Sequence, residues 1–237
     1  MTRNTLIAFV ATVFVLGSTE VRADDDRLRN AALVLNEMAQ ATDRGIPQSL
    51  LAKAKCVVVV PGVKKAAIGF GGQYGRGYMS CRTAAGGWSA PGGIRVEGGS
   101  VGFQIGGSET DVVLLVLNER GADRLLSSRF TVGAEASVAA GPVGRNASAQ
   151  TDATMMAEIL AWSRARGVFA GVSLQGSTLR EDSGENEELY GKQINNREIV
   201  SGTVTAPAAA AGLMAALEKA GAAADVRATP TPATPAP

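Results

Sequence analysis

The chain has 237 residues, 46% hydrophobic and 19% charged, with 23 basic against 22 acidic side chains, so it reads as globular and its net charge of +1 creates no field to gather nucleic acid. It contains no histidine, which removes the commonest general base near neutral pH and the commonest metal ligand. Its 29 glycines and 5% aromatics point to a sheet-rich fold with tight turns and small-residue packing.

Residues 1–23 read as an export signal. Arg3 supplies a positive start and Leu6 to Leu16 an apolar run too short to span a bilayer. Val21-Arg22-Ala23 provides the cleavage positions, and Asp24 begins the mature chain. The expected destination is the periplasm or the medium, with peripheral membrane attachment. Removing Arg3, Glu20 and Arg22 leaves the mature chain neutral.

A helix is predicted over Asp24–Thr42, where Leu28, Ala31, Ala32, Leu35, Met38 and Ala39 recur at helical spacing and Asp24–Asp26 suit the positive end of the dipole. Pro47 opens a second short helix through Lys55. Cys56–Val60 is an apolar run expected of a strand buried on both faces, ended by a turn at Pro61-Gly62. Separate strands are predicted at Ala67–Gly72, Arg76–Arg82, Trp88–Val96, Ser100–Gly106 and Asp111–Leu117. Asn118 caps a short helix through Ser127. Further strands are expected at Phe130–Ala140, Gly144–Gln150 and Gly167–Gln175, while Ala153–Ala165 suits helix or strand. Glu181–Glu188 reads as an acidic loop, Asn195–Val200 as a helical turn and Pro207–Ala220 as a C-terminal helix. The Ala/Thr/Pro-rich stretch 222–237 cannot bury a core and is expected to be disordered. The sum is α+β: an antiparallel sheet or partly closed barrel flanked by N- and C-terminal helices, one domain over 24–221.

Catalytic patterns fail on inspection. Gly98-Gly99-Ser100-Val101-Gly102 matches a nucleophile elbow, but no histidine is present to take the proton, and the glycines suit a turn between strands. The glycine-rich Gly69–Gly77 fits neither dinucleotide nor phosphate-loop spacing. The acidic run after Asp182 lacks the calcium-loop spacing. No enzyme, cofactor or metal is expected. Cys56 and Cys81 are open to two readings, a disulfide in an oxidising compartment or two buried thiols.

One charge feature stands out. Between Asp43 and Glu97 there is no acidic residue, while Arg44, Lys53, Lys55, Lys64, Lys65, Arg76, Arg82 and Arg95 fall inside that window. Gathered on one side, such residues attract phosphate or anionic lipid. Lys53, Lys55, Lys64, Lys65, Arg76 and Arg82 are therefore the candidate lipid-binding residues.

The stretches AKCVVVVPGVKKAAIGFGGQYGRG, GWSAP, GGSVGFQIGGSETDVVLLVLN, FTVGAEASVAAGPVGR and SRARGVFAGVSLQGSTL together resemble the SYLF domain family. So does LYG followed downstream by EIVSG and PAAA. The similarity runs from about Arg27 to about Leu217. It implies a non-enzymatic domain: eukaryotic members bind phosphoinositides, and some bind or bundle actin filaments. Their lipid contact is attributed to a basic N-terminal helix and nearby lysines. Here Asp24–Asp26, Glu37 and Asp43 offset Arg27, Arg29 and Arg44 in that helix, so the lipid role is carried only to the lysines at 53, 55, 64 and 65. For an exported chain the expected partner is an anionic phospholipid surface. The alternative is a protein-interaction module of the envelope, actin-binding-like by analogy.

Overall fold

The computed structural model describes residues 23–41, 45–127, 129–132, 138–142, 157–165, 168–169 and 176–228. It opens with α1 (Ala23–Gln40) and α2 (Gln48–Lys53). Two long strands follow, β1 (Cys56–Cys81) and β2 (Gly92–Val116). Then come α3 (Glu119–Leu125), β3 (Phe130–Thr131), β4 (Val138–Ala140), β5 (Ile159–Ala165), β6 (Val168–Phe169) and β7 (Ser177–Glu181). The chain ends with α4 (Ser183–Tyr190), α5 (Asn196–Glu198) running into a π turn, and α6 (Ala211–Ala228). The fold is α+β, a mostly antiparallel curled sheet between terminal helices, as the hydrophobic pattern implies.

β1 and β2 form one antiparallel ribbon, with Cys56 opposite Val116 at one end and Met79 opposite Gly92 at the other. The segments expected as separate strands are therefore continuous. Pro61-Gly62 is not a turn but an irregularity in β1, with register shifting between Val60 and Val63. Gly62 sits at φ +60°, which glycine reaches without steric cost, and its N–H donates to the Asp111 carboxylate at 3.0 Å. That side-chain bond keeps the ladder running past the proline. Likewise Gly98 and Gly99 lie inside β2, opposite Gln73 and Gly72, and not at a turn. β2 begins at Gly92; before it, Trp88 forms only an isolated bridge with Arg82.

The ribbon folds back on itself. β7 and β3 extend the sheet beside Ile94–Gly98, while β5 and β4 extend it beside Asp111–Val116. Between these halves the register shifts again, between Ile68 and Phe70. The two halves of β1 then meet: a Cβ on Gly77 would collide with the Val59 carbonyl, and one on Gly75 would come within 2.9 Å of Val60 and Val63 methyls. Glycine is required there because backbone lies against backbone. Cys56 and Cys81, the two ends of β1, are joined by a disulfide with their Cα atoms 3.9 Å apart. The N–H of Arg82 also donates to the Lys55 carbonyl at 2.7 Å.

Curling gives the sheet two apolar faces, which explains why Cys56–Val60 is apolar throughout. Val57, Val59, Tyr78, Val113 and Leu115 face α1, α2 and α6. Val58, Val60, Met79, Ile94, Leu114 and Phe130 fill the inside of the curl. Three further element assignments differ from expectation. The acidic stretch is helix α4, Phe130–Ala140 divides into two short described strands, and α6 continues beyond Ala220 to Ala228. The strand expected at Gly144–Gln150 lies outside the described residues.

Candidate functional site

The six candidate cations do not form one patch. Lys53 is exposed at the last turn of α2, where a cation suits the helix dipole. Lys55 pairs with Glu119 at 2.7 Å. The Arg82 guanidinium lies 4.1 Å over the Trp88 ring. These three stand around the closed end of the ribbon, tied by the Arg82–Lys55 backbone bond. Lys64 and Lys65 lie further along β1 on opposite faces. Lys64 is exposed, opposite Glu109, whereas partial burial pushes the Lys65 ammonium below its ordinary pKa.

Arg76 is differently engaged. Its Nε donates to Asp182 at 2.5 Å and its guanidinium also reaches Glu185 at 3.2 Å. Glu185 in turn accepts from Arg27 of α1 and from the Tyr78 hydroxyl. Arg27 also donates to Asp24 at 3.0 Å, and the Tyr78 hydroxyl lies 3.4 Å from the Asp24 carbonyl. This ionic knot ties α1, β1 and α4 together. Hydrogen bonding from Asp182 raises the Arg76 pKa against the opposing effect of burial. Burial works against Asp182 ionising, yet Arg76 outweighs it and holds the carboxyl below its ordinary value. Burial, reinforced by Glu185, pushes the Tyr78 hydroxyl far up, so it stays a neutral donor.

Sequence reasoning missed Asp24, Arg27, Tyr78, Asp182 and Glu185 as a unit. One signal was available: Asp182-Ser-Gly-Glu185 has the spacing of a helix cap, and the Asp182 side chain accepts from the Glu185 N–H at 3.4 Å. The next helix start is also tied in. Asn186 accepts from Gly93 N–H at 2.7 Å and donates to Asn196 at 2.8 Å, and Asn196 returns a bond to the Gly93 carbonyl at 2.9 Å.

Beside the knot lies an open groove of about 550 Å³ between α1 and β1, walled by Arg27, Leu33, Glu37, Lys64, Tyr74 and Arg164. Leu33 and Tyr74, 53% and 50% exposed, are the large apolar side chains left exposed among the described residues, and both line it. Arg164 bridges Glu37 and, at 2.8 Å, Asp111 along its floor. The groove therefore presents apolar contact surface flanked by charges of both signs, which is the make-up of a binding surface. Among the described residues, no group of Cys, Asp or Glu is arranged to hold a metal, and no single helix is long and apolar enough to cross a membrane.

Residues 97–220 match a family model described as "Las17-binding protein actin regulator". An SH3 domain-containing protein of Schizosaccharomyces pombe is 41% identical over 169 residues, covering 70% of this chain and 39% of that protein. Protein YSC84 of Saccharomyces cerevisiae is 36% identical over 199 residues, covering 80% of this chain and 42% of its own length. The human SH3 domain-containing YSC84-like protein 1 is 33% identical over 196 residues, covering 80% and 57%. The chain thus spans between about two fifths and three fifths of the curated relatives it matches.

Proposed function

The chain belongs to the SYLF (Ysc84) family, and on that premise we propose that it is an exported, non-enzymatic binding module that docks on an anionic lipid surface. The observation that carries the reading is the closed end of the ribbon, where exposed Lys53 precedes Lys55 by two residues and a backbone bond ties Arg82 to Lys55; the Lys55 pair with Glu119 is solvent-exposed and weak, and Arg82 stacks on Trp88. Arg76 takes no part, because its charge is spent on Asp182 and Glu185 inside the fold. Lys64 and Lys65 add longer-range attraction from another part of β1.

The test is co-sedimentation of the mature chain with phosphatidylcholine vesicles and with vesicles rich in phosphatidylglycerol, at low and at physiological salt. Binding to the anionic vesicles alone, weakened by salt, is expected. Each basic residue near such a surface contributes about 1 kcal/mol, so Lys53→Gln with Lys55→Gln weakens binding about 30-fold. Failure to bind either vesicle overturns the lipid reading.

A second reading rests on the groove. Its exposed Leu33 and Tyr74 suit a protein partner, and relatives include LAS seventeen-binding protein 3 of Saccharomyces cerevisiae, named for a protein it binds. Binding by that route would be insensitive to salt and lost on Leu33→Asp.

A further inference from the structure

The outer face of the sheet carries a row of arginines. Ile94, Val96 and Leu179 fill the inside of the curl, so strand alternation turns Arg95, Glu97, Thr178 and Arg180 outward. Arg76 stands opposite Arg95, and Arg95 opposite Arg180. Phe130 stands opposite Leu179, which brings Arg129, the residue before it, beside Arg180. Like charges facing one another across a sheet are destabilising, so such a row needs counter-charge.

Most of that counter-charge comes from the fold. Arg27, Arg76, Arg95 and Arg180 are matched by Asp24, Asp182, Glu185 and Glu97, with Arg95 acting on Asp182 as well. Arg129 stands outside this balance: it is exposed and makes no ion pair among the described residues. Arg180 is loosely held. It shares Glu97 with Arg95, each at 3.3 Å, and the Arg180, Glu97 and Arg95 side chains are 37%, 36% and 34% exposed. Ion pairs of this kind are weak. The row thus ends in two guanidinium groups with donors to spare.

Both line one cavity of about 510 Å³, together with Glu97, Gly99 and Thr178. Tyr74 lines this cavity and the groove beside α1 alike. Gly99 leaves a gap in the wall: a Cβ there would come no nearer than 4.0 Å to a neighbour among the described residues. Neighbouring strands lie about 4.8 Å apart, so two guanidinium forks on adjacent strands reach a ligand from different directions. A planar carboxylate satisfies one fork. A tetrahedral phosphate has oxygens for both, and a monoester brings a second negative charge. We infer that this cavity binds a phosphomonoester, with Arg129 and Arg180 donating to its oxygens and Tyr74 and Thr178 against the group it carries. The site shares no residue with the closed end of the ribbon and does not rest on the lipid reading above. Two sources supply this chemistry, a soluble phosphomonoester and the headgroup of phosphatidic acid, and the experiment separates them.

The chain is titrated calorimetrically with glycerol 3-phosphate and, as a control, with acetate. Glycerol 3-phosphate is expected to bind at least about tenfold more tightly. Arg129→Gln and Arg180→Gln each weaken it at least about tenfold, as loss of a charge-assisted hydrogen bond requires, whereas Glu97→Gln removes the competing carboxylate and tightens it about tenfold. Gly99→Val fills the cavity and abolishes binding. Circular dichroism checks each variant's fold, and Arg129, being exposed, is the substitution that leaves the fold intact. Lys53→Gln with Lys55→Gln leaves glycerol 3-phosphate binding unchanged, so this site and the closed end fail separately. Co-sedimentation with phosphatidylcholine vesicles containing phosphatidic acid locates the source: binding lost in Arg129→Gln assigns the lipid headgroup, and glycerol 3-phosphate binding without that loss assigns a soluble ligand. No binding of glycerol 3-phosphate at about 10 mM, with vesicle binding indifferent to Arg129→Gln, overturns the inference. So does binding that acetate equals, or that survives both arginine substitutions.

Discussion

β1 is held in place at two points by two different chemistries. At its ends, Cys56 and Cys81 are linked covalently and close the curl. Further in, at Arg76 and Tyr78, the link is ionic and hydrogen-bonded and ties the strand to α1 and α4. The first lock joins residues 25 apart within one strand. The second joins residues more than a hundred apart, Arg76 with Asp182 and Tyr78 with Glu185. A covalent lock answers to redox conditions and is indifferent to pH, whereas an ionic one answers to pH and is indifferent to reductant. That difference allows each to be opened alone.

The largest effect is expected at the ionic lock. Glu185→Ala removes the shared partner of Arg27, Arg76 and Tyr78, leaving Arg27 to Asp24 and Arg76 to Asp182 alone, and the loss of three hydrogen bonds to one buried carboxylate costs about 3–5 kcal/mol. Urea unfolding followed by circular dichroism measures it, and a loss below about 1 kcal/mol, the range of an exposed pair, breaks the distinction between this knot and ordinary surface charges. Next is the covalent lock. Reducing Cys56–Cys81, which closes a loop of separation 25, lowers stability by about 3 kcal/mol in the same assay. The two losses add within a few tenths of a kcal/mol if the locks act independently, and fall short of the sum if opening one already releases the other.

The smallest effect sharpens the contrast through pH. The Asp182 carboxyl is held below its ordinary value of about 3.8, so it is ionised more readily folded than unfolded. Its contribution is complete above that ordinary value and disappears as pH falls through the lower folded one. Acid unfolding of the wild-type chain should therefore be steeper below about pH 4 than that of Asp182→Asn, with reductant leaving the difference in slope unchanged.

The element types and the core were largely legible, and for a plain reason: burial on a sheet or helix face is written as local periodicity. Cys56–Val60 reads as doubly buried because both faces of β1 are covered, and Leu28, Leu35 and Met38 read as one helix stripe because they meet the sheet. Strand ends were less legible. Pro61-Gly62 and Gly98-Gly99 carry turn residues, but hydrogen bonding by Asp111 accounts for the first pair, and the close approach of Gln73 and Ser177 accounts for Gly98, inside a continuous ribbon.

The charges were the least legible part. A window free of acids along the chain suggests a basic face, yet its members are matched in space by carboxylates from elsewhere: Arg76 by Asp182 and Glu185, Lys55 by Glu119, Lys64 facing Glu109. Coulomb partners are chosen by distance after folding, and sequence separation says little about that distance. Glu185 shows the consequence most clearly, since it sits in a run that reads as a solvated loop and is 1% exposed.

One feature of the outer layer bears on how the chain is made. α1, near the beginning, and α6, near the end, pack on the same sheet face and share one cluster, with Leu28 and Leu35 beside Leu213 and Leu217. Until α6 has left the ribosome, that face has no lid, and the apolar residues of α1, β1 and β2 beneath it stay uncovered. Folding of this layer therefore waits for α6, and a nascent chain stalled before Leu213 remains a client for chaperones instead of a finished domain.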